Sequence, residues 1–155
     1  MADALVASLL APSAILLDRS ASGWEDAVRQ VGAVLVGAGA VSEGYVDTML
    51  DRERSVSTFV GEGVAIPHGT LAGRDLVRRD ALCLVQYPEG VDWHGEDVVL
   101  CIGIAALGEG HVPILAQLAD LLMEPDRAAS LRAASSPDEV IALLTPDEDE
   151  EADEA

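Results

Sequence analysis

The chain has 155 residues, of which 50% are hydrophobic but only 3% aromatic, so we expect a core of aliphatic side chains. Its nine cationic side chains are all arginines and stand against 28 carboxylates, which gives a formal net charge of -19. This balance excludes a nucleic acid partner, because affinity for a phosphate backbone comes from clustered cations, and the length indicates one domain.

The first third of the chain is predicted to form a short strand followed by two amphipathic helices. The strand covers residues 14–17. Ser22 and Glu25 have the spacing of a capping box for a helix that continues to Gly37. Apolar residues at helical spacing then predict a second helix over residues 43–54, with arginines in its last turn.

The rest of the chain is predicted to add three strands and three helices. Nearly continuous apolar runs are typical of central strands that are covered on both faces. The strands are expected at residues 63–66, 81–87 and 97–106, with a turn at 88–90, and the helices at 110–123, from 125 onward and at 136–144. This alternation predicts an α/β sandwich, a single domain with a mixed or mostly parallel sheet and helices on both faces.

Two histidines follow predicted strands. His68 comes directly after the strand at 63–66, and His111 opens a helix after the strand at 97–106. In open α/β sheets, reactive groups gather just beyond the carboxyl ends of the strands. If these two strands are neighbours, both imidazoles reach the same edge of the sheet. His94 lies in a polar loop, and we interpret it as structural or solvent-exposed.

The sequence lacks the motifs that are typical of several common catalytic and binding sites. Cys83 and Cys101 lie inside predicted strands, which favours buried, reduced thiols over a disulfide or a metal site. The chain has no HxH, HExxH or CxxC arrangement and no GxSxG motif, so a metal-dependent hydrolase has only the three histidines in its favour. The glycine-rich segment GAGAVSEG follows a helix rather than a strand, which indicates a loop and not a dinucleotide site.

Nucleophilic catalysis by His68 remains. Imidazole titrates near neutral pH, and one ring nitrogen can attack phosphorus while a hydrogen bond holds the other. A phosphoryl group brings about 1.5 to 2 negative charges, which Arg52 or Arg54 could compensate. His111 could donate an N–H to a phosphoryl oxygen, and Gly69 is expected to leave open space beside the ring.

Two segments carry a family resemblance. The run RERSVSTFVGEGVAIPHGT and the later run LCLVQYPEGVDWHGEDVVLCIGIAALGEGHVPILAQLADLL resemble the IIA component of the bacterial phosphoenolpyruvate-dependent sugar phosphotransferase system, in its mannitol/fructose family. The IPHGT block is the most specific part, and QYPEGVDW favours the mannitol-type branch. The resemblance covers residues 12–145.

The resemblance implies a phosphoryl carrier that needs no cofactor. It implies that His68 accepts phosphate from the phosphocarrier protein HPr and passes it to a cysteine of the IIB component, which phosphorylates the sugar during entry through the membrane component IIC. It also implies that His111 is the second active-site histidine and Arg52 the phosphoryl-stabilising arginine. The family fold is a mixed five-stranded sheet with helices on both faces.

The resemblance is compatible with one other function, and it does not extend to the two ends of the chain. Relatives of the nitrogen-related branch act as regulatory modules through their phosphorylation state. We expect an N-terminal extension at residues 1–11, the IIA domain at 12–145 and a disordered acidic tail at 146–155. We expect a cytoplasmic protein, because Asp3 stands where a signal peptide has positive charge. We also expect it to act on separate IIB and IIC components, because the sequence shows no membrane segment and no cysteine in a IIB-like loop.

Overall fold

The computed structural model describes residues 5–107 and 111–145, without the side chains of Leu71, Ala72, Arg74 and His111. The predicted tail at 146–155 lies outside these residues. The described helices are α1 (Leu5–Ser8), α2 (Trp24–Gly37), α3 (Tyr45–Ser55), α4 (His111–Leu122), α5 (Pro125–Arg132) and α6 (Pro137–Leu143), with a 3₁₀ helix at Leu71–Leu76. The strands are β1 (Leu10–Leu16), β2 (Phe59–Gly61), β3 (Val64–Ala65), β4 (Ala81–Trp93) and β5 (Glu96–Ala105).

The strands form one mixed sheet in the order β1-β4-β5-β3-β2. β1 is parallel to β4, and β3 is parallel to β5, whereas β4 with β5 and β2 with β3 are antiparallel. The carboxyl ends of β3 and β5 therefore meet at one edge of the sheet. The predicted five-stranded mixed sheet is confirmed.

Helices cover both faces of this sheet, and the central strands divide their side chains between them. On one face, Cys83 and Val85 of β4 pack with Val31 of α2 and Met49 of α3. On the other face, residues from β4 and β5 pack against α4, α5 and α6; they include Leu82, Leu84, Leu100, Ile102, Ile114, Leu118, Leu131 and Val140. Because both faces are buried, these strands are apolar at almost every position, as predicted.

The turn predicted at residues 88–90 is wrong. β4 continues through this segment, and its register against β5 shifts between Gln86 and Val91. Such an irregularity accommodates a proline and a glycine inside a strand. The chain reverses instead at His94 and Gly95, whose φ values of 55° and 92° suit a two-residue hairpin turn.

Three further local predictions need correction. β1 begins at Leu10, earlier than predicted, and Leu10 pairs with Leu82 of β4. β2 was not predicted; it forms a hairpin with β3. The capping box at the start of α2 is also wrong, because the carboxylate that accepts from the backbone N–H of Ser22 is that of Asp26, at 2.9 Å, rather than that of Glu25.

The N-terminal segment contacts the body of the domain where it is described. α1 packs beside α4, and the backbone N–H of Val6 donates to Oε1 of Gln117 at 2.8 Å. The side chain of Val6 is fully buried. Within the described residues, no helix combines the length and the apolar character of a membrane span.

Gly103 allows α2 to pack closely on β5. A Cβ atom at this position would meet Cγ1 of Val31 and lie 2.7 Å from Sγ of Cys83. We expect Gly103→Ala to lower the free energy of unfolding by about 1 to 3 kcal/mol, because the buried face cannot take an added methyl group without a shift. Urea unfolding measures this change.

Gly37→Ala is the matched control, since a Cβ atom there meets nothing within 4 Å. We expect this variant to stabilise the protein by up to about 1 kcal/mol, as alanine does in a helix. Equal unfolding midpoints for the two variants would contradict the close packing at Gly103.

Candidate functional site

His68 lies at the edge of the sheet where β3 and β5 end. The ladder of β3 stops because Pro67 has no N–H to donate. Its carbonyl still accepts from the backbone N–H of Ile104 at 3.0 Å, and His68 forms a parallel bridge with Ile104. The parallel pairing therefore extends past the end of β3 and places His68 beside Ile104, near the carboxyl end of β5.

The imidazole of His68 is half-buried and held by its own backbone. Nδ1 lies 2.8 Å from the carbonyl oxygen of Ile66. A carbonyl oxygen can only accept, so Nδ1 carries the proton in this arrangement. In the neutral ring, Nε2 then has the lone pair and is the nucleophilic nitrogen.

Tyr45 is a site residue that the sequence interpretation missed. The side chain is 4% exposed. Its hydroxyl donates to the carbonyl oxygen of Ile104 at 3.0 Å and accepts from the backbone N–H of Gly69 at 2.8 Å. Burial raises the pKa of Tyr45, so the hydroxyl keeps its proton at neutral pH and can donate. A buried tyrosine needs a hydrogen-bond partner, but the sequence does not indicate which one.

Gly69 is required because α3 approaches it closely. The expectation that its missing side chain leaves open space beside the imidazole is wrong. A Cβ atom at Gly69 would lie 2.5 Å from Oγ1 of Thr48 and 2.5 Å from Cε1 of Tyr45. A Cβ atom at Gly73 would lie 2.6 Å from the same Thr48 oxygen. Both glycines therefore let α3 pack directly on the segment that carries His68.

Arg52 belongs to the helix that packs on this segment. It follows Tyr45 by seven residues and Thr48 by four, so all three lie on one stripe of α3. Its Nη1 donates to the carbonyl oxygen of Val56 at 2.6 Å, which caps the end of the helix. Arg54 is engaged elsewhere, because its guanidinium lies 3.4 Å from carboxylates of Glu25 and Asp51.

His111 is the first residue of α4, which follows β5. Because β3 and β5 are parallel neighbours, the condition for two histidines at one edge is met. The side chain of His111 lies outside the described part of the structure, so its distance from His68 stays a prediction.

His94 has a structural role in the hairpin between β4 and β5. Its ring centroid lies 4.9 Å from that of Trp24, and its Nε2 lies 3.9 Å from Oε2 of Glu53. The hairpin is at the opposite end of β5 from Ile104, and ten residues of strand span about 30 Å. In the residues that the structure describes, no group of three or more His, Cys, Asp and Glu side chains could hold a metal ion.

Glu53 is a buried carboxylate that the sequence interpretation also missed. It is 2% exposed and accepts from the Thr58 N–H and hydroxyl, both at 2.6 Å, and from Nε1 of Trp93 at 2.8 Å. Three donors satisfy the buried charge. This cluster ties the end of α3 to the chain before β2 and to the hairpin.

Cys83 and Cys101 are buried thiols, as predicted. Burial raises the pKa of Cys83 to about 12 and the pKa of Cys101 well above its usual value. A thiol with so high a pKa is a poor nucleophile at neutral pH. His68 therefore remains the nucleophile that the described residues support best.

An open mixed sheet with a backbone-held histidine at its edge defines a small α/β protein of the phosphotransferase IIA class. The chain belongs to the EIIA 2 family of the phosphoenolpyruvate-dependent sugar phosphotransferase system, whose family model matches residues 8–146. It is thus a phosphotransferase component, and the family indicated by the sequence motifs is confirmed.

Individual relatives agree with this assignment. A multiphosphoryl transfer protein of Escherichia coli O157:H7 is 47% identical over 121 residues, which cover 77% of this chain and 32% of that protein. The chain thus spans about a third of the length of this relative. A mannitol-specific phosphotransferase enzyme IIA component of Staphylococcus aureus strain Mu50 is 39% identical over 126 residues, 81% of this chain and 88% of that protein.

A solved structure has the same fold. It is the complex of enzyme IIAMTL and phosphorylated enzyme IIBMTL from Escherichia coli. The matching chain has a TM-score of 0.82 and 37% identity, and the match covers 88% of this chain and 98% of that chain. The sheet order, with helices on both faces, is therefore that of an experimentally known IIA fold.

Proposed function

We propose that this chain is a phosphoryl carrier for mannitol uptake, in which His68 accepts phosphate from phospho-HPr and passes it to a cysteine of the IIB component. The observation that carries the proposal is the bond between Nδ1 of His68 and the Ile66 carbonyl, at 2.8 Å. It assigns the nucleophilic lone pair to Nε2 at the edge of the sheet. We propose residues 12–145 as the functional unit.

Each of the two transfer steps forms one bond to phosphorus and breaks another. Nε2 attacks phosphorus, the bond from phosphorus to the donor breaks, and the donor keeps that electron pair. The ring gains positive charge as the new N–P bond forms, and the Nδ1–H bond to the Ile66 carbonyl stabilises it. In the second step a thiolate attacks phosphorus, and Nε2 recovers its electron pair.

Arg52 is the proposed cation for the phosphoryl group. The chain has no lysine and a net charge of -19, so the added negative charge needs a local arginine. α3 packs on Gly69 through Tyr45 and Thr48, and Arg52 lies on the same stripe one turn further. A guanidinium presents five N–H donors, so the bond to Val56 leaves capacity for phosphoryl oxygens.

His111 is the proposed orienting group. It opens α4, a helix of 12 residues, and a helix N-terminus favours a phosphoryl group through its dipole and its N–H groups. We propose that its imidazole N–H is a further donor to the phosphoryl group.

The edge also offers apolar surface for the partner proteins. Leu107 follows β5 and is 48% exposed, and Val112 in the first turn of α4 is 58% exposed. Contiguous exposed apolar surface marks protein interaction sites, and these two side chains are available to form part of one. They support the assignment of HPr and IIB as successive partners, and we place this exchange in the cytoplasm.

The regulatory alternative is less well supported. A relative that matches along 88% of its own length is named as a mannitol-specific IIA component. The structural match at 37% identity is to a complex of enzyme IIAMTL with phosphorylated enzyme IIBMTL.

His68→Ala tests the proposed nucleophile. Wild-type chain incubated with labelled phosphoenolpyruvate, enzyme I and HPr should gain an acid-labile, base-stable label. The variant should gain none, because no other described imidazole stands at this edge in the held geometry. His94→Ala is the control and should label like the wild type. Labelling of His68→Ala to the wild-type level would overturn the assignment.

His111→Ala separates orientation from acceptance of phosphate. We expect His68 of this variant to be phosphorylated, but onward transfer to IIB to fall by about tenfold or more, since one phosphoryl hydrogen bond is lost. Rapid-quench measurement of single-turnover transfer gives this rate. An unchanged rate would assign His111 a structural role only.

Arg52→Ala tests the proposed cation against a neighbouring arginine. Loss of a charge-assisted bond of about 1.5 to 3 kcal/mol should slow phosphoryl transfer about ten- to hundredfold. Arg54→Ala removes an equal charge from an exposed ion pair and should change the rate less than about twofold. The reverse order would mean that Arg54 is the stabilising residue.

A further inference from the structure

We propose that Tyr45 is a positioning residue for the phosphorylated histidine, and that its hydroxyl sets the backbone conformation of His68. This inference rests on the proposed function. It concerns a residue on α3 whose hydroxyl contacts two backbone groups at the site, one on β5 and one directly after His68.

Three hydrogen bonds among the described residues hold the imidazole in position. The peptide before His68 is held because the Pro67 carbonyl accepts from Ile104 N–H at 3.0 Å. The peptide after His68 is held because Gly69 N–H donates to the Tyr45 hydroxyl at 2.8 Å. Since peptide units are planar, fixing both units sets φ and ψ of the residue between them.

The third bond sets the ring itself. With the backbone of His68 in place, the contact of 2.8 Å between Nδ1 and the Ile66 carbonyl selects the side-chain rotamer and the tautomer. A change in φ of His68 would move the ring relative to Ile66 and would also move the following peptide unit, which the bond from Gly69 N–H to the Tyr45 hydroxyl holds in place. The orientation of Nε2 therefore depends on the Tyr45 hydroxyl.

Tyr45 also links this backbone to β5 and to α3. The same hydroxyl donates to the Ile104 carbonyl at 3.0 Å, while Ile104 N–H binds the Pro67 carbonyl. Both polar groups of Ile104 thus hold the chain around His68, one of them through tyrosine. Because Arg52 lies on the same helix, the bond also relates the proposed cation to the nucleophile.

A tyrosine that served only the core would give a different result. Tyr87 provides that comparison, because it is 1% exposed, belongs to the same core cluster, and donates its hydroxyl to Oε1 of Gln30 at 2.9 Å. Tyr45→Phe and Tyr87→Phe each remove one buried hydroxyl and keep the ring. Only Tyr45→Phe should change the orientation of the His68 imidazole.

The test is single-turnover transfer from phospho-HPr to each variant over a range of HPr concentrations. We expect Tyr45→Phe to lower the maximal transfer rate about tenfold with little change in the half-saturating HPr concentration, since a misoriented nucleophile affects the chemical step. Tyr87→Phe should stay within about twofold of the wild type. In ¹⁵N NMR spectra, Tyr45→Phe should also reduce the Nδ1–H tautomer of His68, and Tyr87→Phe should not.

Equal maximal rates and equal tautomer signals for the two variants would overturn the proposal, while labelling of the wild type on His68 would leave the proposed function intact. If His68→Ala labels like the wild type, the proposed function fails instead. Hydrogen exchange of the Gly69 amide in the wild type gives a test that does not depend on whether the variants fold. Protection comparable to that of the Ile104 amide is expected, and free exchange of the Gly69 amide would overturn the inference.

Discussion

The parallel pairing of β3 with β5, carried past Pro67 by the bond from Ile104 N–H, is the interaction on which the site depends. Proline removes a donor from the ladder but keeps its carbonyl, so the pairing continues for one more residue while the strand itself ends. This places His68 level with Ile104 and directs the chain out of the sheet beyond it. The bond from Ile104 N–H thus positions the peptide unit that precedes His68.

α3 also holds the segment around His68 in position. Its first residue, Tyr45, bonds to the edge of the sheet, and Thr48 packs against the two glycines that follow His68. Near its other end, the buried Glu53 accepts from Thr58 and Trp93. A helix held at both ends moves as a unit with the sheet, so Arg52 keeps a constant relation to the nucleophile. The cost of burying one carboxylate is offset by three donors.

Much of the fold could be predicted from periodicity. Apolar runs located β4 and β5, and helical spacing located α2, α3 and α4. α6 lies within the predicted range 136–144, and the Ser136 hydroxyl caps it by accepting from Glu139 N–H at 3.2 Å. The errors occur where the backbone departs from a regular pattern. Pro88 and Gly90 resemble a turn, yet a register shift absorbs them into β4 because the strand pairs with β5 both before and after them, at residues 81–86 and 91–93.

By itself, the sequence determined the class of fold, the position of His68 after a strand and, through the IPHGT block, the family. Local pattern suffices for these, because burial period and turn residues act over a few neighbours. Tertiary structure decided what holds the histidine. Tyr45, Ile104 and Gly69 are separated by 24 to 59 residues in their contacts, so only packing brings them together. The role of Gly69 changed for the same reason: its missing side chain makes room for α3, a contact that no local pattern records.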